Sequence, residues 1–411
     1  MLLRLQDLPE DAAYDLVVIG AGGAGLATAL HAAIDGASVL IVERTALVGG
    51  TTAWSAGTSW LPNTRHCAPG TDSPAQVERY LDEVVGGHSS PELRRAFIQA
   101  SNEAVERFEQ HTEVHYRPYA LHPDYQSELP GSTLRGRALE PVPFDGRLLG
   151  KLFGLLRPPI PEFTVLGGMM VDRTDINHLL GLTKSLASLR HALKIIGRHA
   201  IDRISHPRGT RLVMGNALVG RLLHSLSLRT NVSLLLETEM TTVHRGGDGV
   251  DAVTLGAVGQ GGRGKRIAVK AGLVLASGGI NRHPQWRAER LGNIDSTWCP
   301  AAPGHTGQAL QLALGLGASF ASGAASDAFF APVSLRQRAD GSTAAFPHFV
   351  MDRAKPGMIT VDQAGERFVN ESTSYHLFGL AMQQAHRVSP AVPAYLVCDA
   401  AALARYGIGM V

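Results

Sequence analysis

An α/β fold in two parts is the architecture this sequence predicts, and three observations predict it. A short apolar run, residues 16–19, passes through a glycine-rich turn into the helix-forming stretch 24–34 and then a second apolar run, "ASVLIVE". Glycine is abundant, 46 of 411 residues, as suits a chain with many tight strand-to-helix turns. After Val232 the pattern turns to β, with glycine-rich spacers between the β-rich segments. The length exceeds what one simple core takes up, so two domains are expected.

Each element follows from its residues. The run at 16–19 reads as a buried parallel strand, and with the helix and second strand it closes a βαβ unit over residues 14–44. From about residue 72 to 205 the pattern is mostly helical, a helical insertion broken by a Pro- and Gly-rich stretch at 116–150. That stretch is too long for a structureless loop, so it is expected to carry structure of its own. Residues 185–204 form a basic amphipathic helix, read as a solvated surface face. The segments "NVSLLLETEMTTVHR", "VDAVTLGAV" and "KRIAVK", separated by "GGDG" and "GQGGRG", predict a β-meander. "AGLVLASGG", residues 271–279, reads as a further buried strand ending in a glycine pair. From about Gly323 aromatics and prolines replace the βα rhythm. A boundary is placed there, with residues 12–323 as the first domain and 324–411 as the start of a smaller α+β domain.

Composition excludes several classes. Net charge is +2, from 38 basic and 36 acidic residues, which leaves no electrostatic footprint for nucleic acid or an anionic membrane. Cys67, Cys299 and Cys398 are far apart and read as reduced thiols, and no spacing predicts a metal site. The start "MLLRLQDLPEDAAYD" is too short and acidic for a signal peptide. No apolar stretch reaches the ~18 residues of a membrane span. A soluble cytoplasmic protein is the expectation.

Gly20, Gly22 and Gly25 spell GxGxxG directly between strand and helix. The first allows the tight turn, the second lets a pyrophosphate approach the backbone, and the third lets the helix pack closely on the sheet. Gly23 and Ala24 open that helix, whose free N–H groups and dipole favour phosphate. Glu43 ends the second strand, where a carboxylate can bind a ribose hydroxyl, and Arg44 follows it. The unit is therefore Rossmann-like and binds an adenine dinucleotide. "VGGTTAWSAGTSWLPN" comes next, with Gly49, Gly50, Thr51, Thr52, Ser55, Ala56 and Gly57 as small residues able to lie along a ribityl chain and flavin edge. A nicotinamide dehydrogenase would run into a helix here, so FAD is favoured over NAD.

These motifs, with "RGTRLVMGNALVGRLL", "VLASGGINRH", "PGHTGQALQLALGLGA" and "VDQAGERFVNES", resemble the FAD-dependent family that includes soluble fumarate reductases and 3-ketosteroid Δ1-dehydrogenases. "GTSWLPN", "DYQSELPGS" and "NESTSY" look most like the ketosteroid branch. The resemblance implies a Rossmann-like FAD-binding domain with a catalytic domain over the flavin face. It also implies that Ala276, Gly278, Gly279, Gly304 and Gly307 approach the flavin from the other side. Fumarate-reductase relatives carry a proton-donating arginine just after their Asn-Glu motif, where this chain has Ser374 and Tyr375. Ketosteroid dehydrogenases have a tyrosine there as base.

The resemblance thus makes Tyr375 the base that takes an α-proton while hydride leaves the β-carbon, a 1,2-desaturation of a 3-ketosteroid or similar cyclic ketone. A phenol with pKa near ~10 pays about 4 kcal/mol to act as base at neutral pH, so a second hydroxyl donating to it would help. Tyr125 is the candidate, with Tyr119 as fallback. The residues alone leave Tyr375 open to a plainer role, a loop phenol packed against Phe368 or Phe378. His305, His348 and His376 read as surface or packing histidines. An electron acceptor is required, and its identity is not legible.

Two departures from the family pattern stand out. Gln308 and Ala309 occupy places where the family usually has aspartate and glycine. Family members also continue past "YLVCDAAALARYGIGMV" with a segment that closes the flavin pocket and polarises the substrate ketone, so the second domain is expected to be incomplete. Loss of such polarisation costs on the order of 3–4 kcal/mol of transition-state stabilisation. Reduction of an activated alkene, as in fumarate reductases, and a non-catalytic flavin-binding chain are the alternatives.

Overall fold

The chain starts with a short strand, Leu2–Leu3 (β1), and the first apolar run extends to seven residues, Ala13–Ile19 (β2). Gly23–Ile34 is helix α1 and Val39–Val42 is strand β3. The computed structural model describes residues 1–247, 249–259, 264–292, 294–321 and 326–408. The boundary expected at Gly323 and the chain end at Val411 both lie outside the described residues.

Beyond the insertion come Val232–Leu235 (β4), Thr238–Gly246 (β5), Gly249–Ala257 (β6) and Lys265–Leu275 (β7). All seven strands share one sheet in the order β1-β4-β3-β2-β7-β6-β5. From β1 to β7 the neighbours are parallel, whereas β7, β6 and β5 form the antiparallel meander.

Two readings of the meander need correction. "NVSLLLETEMTTVHR" is two strands, because Glu237 takes φ 51° and turns the chain between β4 and β5. The turn ties back to the end of β3, with Glu237 N–H donating to Thr45 O (3.2 Å) and Thr238 N–H to Glu43 O (3.1 Å). Conversely, "KRIAVK" and "AGLVL" are one strand. Its first half pairs with β6 and its second half with β2, across a register shift between Val269 and Gly272.

The middle of the sheet is buried on both faces, and strict alternation along β2 and β3 divides the core. Residues 271–275 of β7, expected to be buried, are instead half-buried, with Ala271 and Leu275 exposed. Val18, Val39 and Ile41 face α1 and helix α6 (Met214–Ser227), packing with Leu26, Leu30 and Leu222. Val17, Ile19, Leu40 and Val42 face the other way, against Leu255 and Ile267 of the meander. Such two-sided burial is why these strands read as continuous apolar runs.

The insertion carries helices α2 (Pro74–Val85), α3 (Pro91–His111), α4 (Arg173–Leu180) and α5 (Leu186–Ser205). Its Pro- and Gly-rich part does hold structure: Tyr116–Pro118 and Ala138–Pro141 join Ser59–Trp60 in a three-stranded sheet. Arg137 is fully buried there and bonds both Asp72 (2.7 Å) and Asp124 (2.8 Å). Downstream lie α7 (Pro284–Leu291), α8 (Gln308–Gly315), α9 (Val350–Arg353), α10 (Tyr375–His386) and α11 (Ala400–Tyr406). Two hairpin-like pairs accompany them, Val333–Gln337 with Thr343–Pro347 and Met358–Val361 with Tyr395–Cys398. Among the described residues no helix is long and apolar enough to cross a membrane.

Leu30 has no exposed surface and lies between α1 and α6. Leu30→Ala is expected to cost about 2–5 kcal/mol in urea unfolding followed by far-UV circular dichroism, and a loss below about 1 kcal/mol would contradict this packing.

Candidate active site

A cleft of about 360 Å³ opens where β2, β3 and β7 end and α1 begins. Gly20 makes the turn possible: its φ is +111°, and a Cβ there would lie 2.4 Å from the carbonyl oxygen of Ala276. Gly25 lets α1 sit on that turn, since a Cβ would be 1.9 Å from Gly20 O. Gly22 differs, because no atom lies within 4 Å of where its Cβ would be and the residue lines the cleft. The start of α1 is therefore bare backbone facing open space, the seat that a dinucleotide's phosphates need.

Glu43, almost wholly buried, anchors one wall. One carboxylate oxygen accepts from Ala21 N–H (3.0 Å), the other from Thr45 N–H and Oγ1 (2.9 and 2.8 Å). Lone pairs remain on it for a ribose hydroxyl. The 50–54 turn closes the opposite wall. Thr52 Oγ1 accepts from Gly23 N–H (3.1 Å), and Thr51 Oγ1 accepts from Ala302 N–H (3.0 Å).

Most of the expected residues line this cleft: Gly20, Gly22, Gly23, Ala24, Glu43 and Arg44 from the first unit, with Gly50, Thr51 and Thr52 after it. Ala276, Gly278, Gly304 and Gly307 line its far side. Others stand apart. Gly25 and Gly49 serve packing, Gly49 donating to Ala21 O (2.8 Å). Ser55 and Gly57 line a neighbouring hollow, and Ser55 Oγ is committed to its own turn by bonds with Thr52 O and Gly57 N–H. Ala56 and Gly279 line neither. Gln308, one of the departures from the family pattern, meets Arg44 Nη1 at 3.4 Å, and Arg44 also reaches Glu239 at 3.4 Å.

Three contributions escaped the sequence reading. The turn at Glu237 delivers Thr238, Glu239 and Met240 of β5 to the rim. Arg157 reaches the cleft over the ring of Trp54, and burial holds its pKa below the usual value against the pull of Glu43. His305 is the third: of the surface and packing places read for it, the surface one is set aside, because it lines the cleft. Its ring bridges Thr51 Oγ1 (3.2 Å) and Asn281 Oδ1 (3.0 Å), and burial lowers its pKa, which favours the neutral ring. No periodic signal marks a lone histidine or arginine of this kind.

The second constellation joins distant parts of the chain. Tyr375 is no loop residue but the first residue of α10, and Tyr125 Oη donates to Tyr375 Oη at 2.9 Å. Ser374 caps the helix by accepting from Leu377 N–H (3.4 Å). Phe368 and Phe378 pack on each other, and Tyr375 lies instead against Phe329 and Phe349, with centroids 5.3 and 6.2 Å away. Tyr125 keeps 45% of its surface exposed, and the burial of the rest, with Tyr375 adding to it, pushes its phenol above its ordinary pKa. Tyr119, the fallback, is buried elsewhere with its hydroxyl on Met351 Sδ (3.3 Å) and Arg173 over its ring. His376 stacks on Phe329 and accepts from Phe330 N–H, and His348 contacts Ser334 Oγ at 2.6 Å, so both are packing residues.

Such a sheet, with a glycine turn, a bare helix start and a strand-terminal carboxylate, defines a dinucleotide-binding oxidoreductase. Comparison with known proteins narrows this. The family described as FAD binding domain matches residues 15–407. The chain is 33% identical over 400 residues to 4-oxocyclohex-2-ene-1-carboxylate 5-dehydrogenase of Sinomonas cyclohexanicum, covering 97% of this chain and 67% of that protein. It is 30% identical to 3-oxosteroid 1-dehydrogenase of Mycolicibacterium smegmatis, covering 94% and 67%. Among solved structures, 3-ketosteroid Δ1-dehydrogenase from Sterolibacterium denitrificans, in complex with 1,4-androstadiene-3,17-dione, superposes with a TM-score of 0.84 at 29% identity, covering 97% of this chain and 70% of that one. The chain thus spans about two thirds of the length of the curated relatives it matches. It belongs to the FAD-binding-domain family and is an FAD-dependent dehydrogenase.

Gly22 has ordinary extended backbone, φ −80° and ψ −176°, and open space at its Cβ position. Gly22→Ala is therefore expected to leave stability within about 0.5 kcal/mol while lowering the flavin-to-protein absorbance ratio several-fold. Undiminished flavin content in that variant would contradict the placement of the phosphates.

Proposed function

We propose that the protein desaturates an apolar cyclic ketone next to its carbonyl, with Tyr375 taking the α-proton and Tyr125 supporting it. A 3-ketosteroid or a substituted oxocyclohexane ring is the substrate class. The observation that carries this reading is the 2.9 Å bond between two phenols that are 250 residues apart in sequence. Desaturation must remove a proton from one carbon and a hydride from its neighbour. FAD, when bound, supplies the hydride acceptor, and the cleft residues Gly20, Gly22, Gly23, Ala24, Glu43, Thr51 and Thr52 would hold it. The two tyrosines are the chain's contribution to the proton.

Their roles differ by charge and bonding. A phenolate at neutral pH costs about 4 kcal/mol unless something offsets it. Tyr125 keeps its proton and directs it at Tyr375 Oη, so any negative charge that develops there is met by a donor already in place. Phe329 and Phe349 against Tyr375 offer flat apolar walls that suit a hydrocarbon ring. A small dicarboxylate would need cationic partners, and where fumarate-reductase relatives carry an arginine this chain has Ser374, whose hydroxyl caps α10, and Tyr375. The names of the relatives, dehydrogenases of oxosteroid and oxocyclohexene substrates, support the same reaction class.

The experiment is anaerobic mixing of the yellow protein with a 3-ketosteroid and, separately, with 4-oxocyclohexanecarboxylate, following flavin absorbance. Bleaching by at least one ketone is expected. Tyr375→Phe should slow it by about 10²–10⁴ while retaining flavin, and Tyr125→Phe by roughly 10–10². Reoxidation of the reduced protein by fumarate with no bleaching by either ketone would overturn the proposal. A Tyr375→Phe variant as fast as the parent would remove that residue from it.

A further inference from the structure

A helix packed on a core ordinarily turns its apolar stripe inward and its polar side to water. Helix α5 is arranged the other way. Its buried stripe is Ser188, Ala192, Ile195, His199 and Asp202, three of them polar. On the opposite side Leu186, Leu193 and Ile204 stand 74%, 61% and 85% exposed. Separations of seven and eleven residues set these three almost on one line along the helix. The buried side of α5 is tied to the rest of the insertion, His199 Nε2 lying 3.0 Å from Leu166 O and Ser188 Oγ 3.1 Å from His178 Nδ1 of α4.

The charges on this face have one sign. Arg190, Lys194 and Arg203 are exposed beside the apolar line. The only carboxylate of α5, Asp202, is buried and accepts from Thr210 N–H (2.8 Å) and Oγ1 (2.7 Å). An apolar stripe flanked by cations with no exposed acid is the pattern of a helix that lies in a lipid interface. We infer that α5, through Leu186, Leu193 and Ile204, seats the protein on the surface of an anionic phospholipid bilayer. The apolar line enters the headgroup layer, and Arg190, Lys194 and Arg203 meet the lipid phosphates.

A second copy of the chain fits this face less well. A two-fold contact would bring the same cations together across a desolvated interface. The net charge of +2 does not oppose the inference, because the attraction is local to one face. It stands independently of the proposed reaction.

The test is sedimentation of the flavin-loaded protein with phosphatidylcholine vesicles made with and without phosphatidylglycerol, at low and high salt. Parent protein is expected to pellet with the anionic vesicles and to be released by salt. Leu193→Gln/Ile204→Gln should weaken partitioning at least about tenfold, and Arg190→Glu/Lys194→Glu should weaken it by roughly tenfold on anionic vesicles. All four positions are exposed or half-exposed, so circular dichroism and flavin content should match the parent. Parent protein left in the supernatant at low salt, or an apolar variant that pellets like the parent, would overturn the inference. So would a dimer in light scattering that the apolar variant abolishes while vesicles bind neither protein.

Discussion

Helix α1 begins hard against the end of β2, and it does so only because Gly20 and Gly25 lack side chains. One Cβ at Gly25 would sit 1.9 Å from the Gly20 carbonyl, which no local adjustment of a buried helix absorbs. The cleft, its bare helix start and the approach of the 50–54 turn all depend on that contact. Glu43 completes the arrangement by holding Ala21 N–H from one side and Thr45 from the other, so the turn and the strand end are fixed as a unit.

A second, quite different constraint governs the tyrosine pair. Tyr125 lies in a segment without regular structure, yet its neighbours are pinned. Asp124 accepts from Trp60 Nε1 (2.7 Å), Thr133 N–H (3.0 Å) and buried Arg137 (2.8 Å), and Gln126 N–H reaches Tyr80 Oη (3.3 Å). Arg137 in turn holds Asp72 just before α2. A fully buried guanidinium bound by two carboxylates is costly to break, because loss of one partner strands the other charges. This network gives a loop residue the precision that a helix gives Tyr375. The flexible-looking half of the pair is thereby set on a rigid base.

The first unit was legible because its signals are local: a both-faces-buried strand, a fixed glycine spacing and a terminal acid at Glu43. The meander was legible as β but not in its register, since a turn at Glu237 and a shift at Val269–Gly272 depend on pairing with β3, β6 and β2 rather than on composition. Arg157 and His305 were out of reach because they arrive at the cleft from separate loops, and a lone basic residue carries no periodicity. Tyr375 and Tyr125 were legible only through resemblance. Nothing in "HPDYQSELPGS" itself shows that Arg137 and Asp124 will hold that loop against α10.

The central claim is that the start of α1 seats a pyrophosphate, and comparison of two flavins tests it most directly. Flavin-stripped protein can be titrated with FAD and with riboflavin, following quenching of flavin fluorescence. If the account is right, FAD binds at least about a hundredfold tighter, since only it carries phosphates for the glycine turn and a ribose for Glu43. Equal affinity for the two flavins would contradict it.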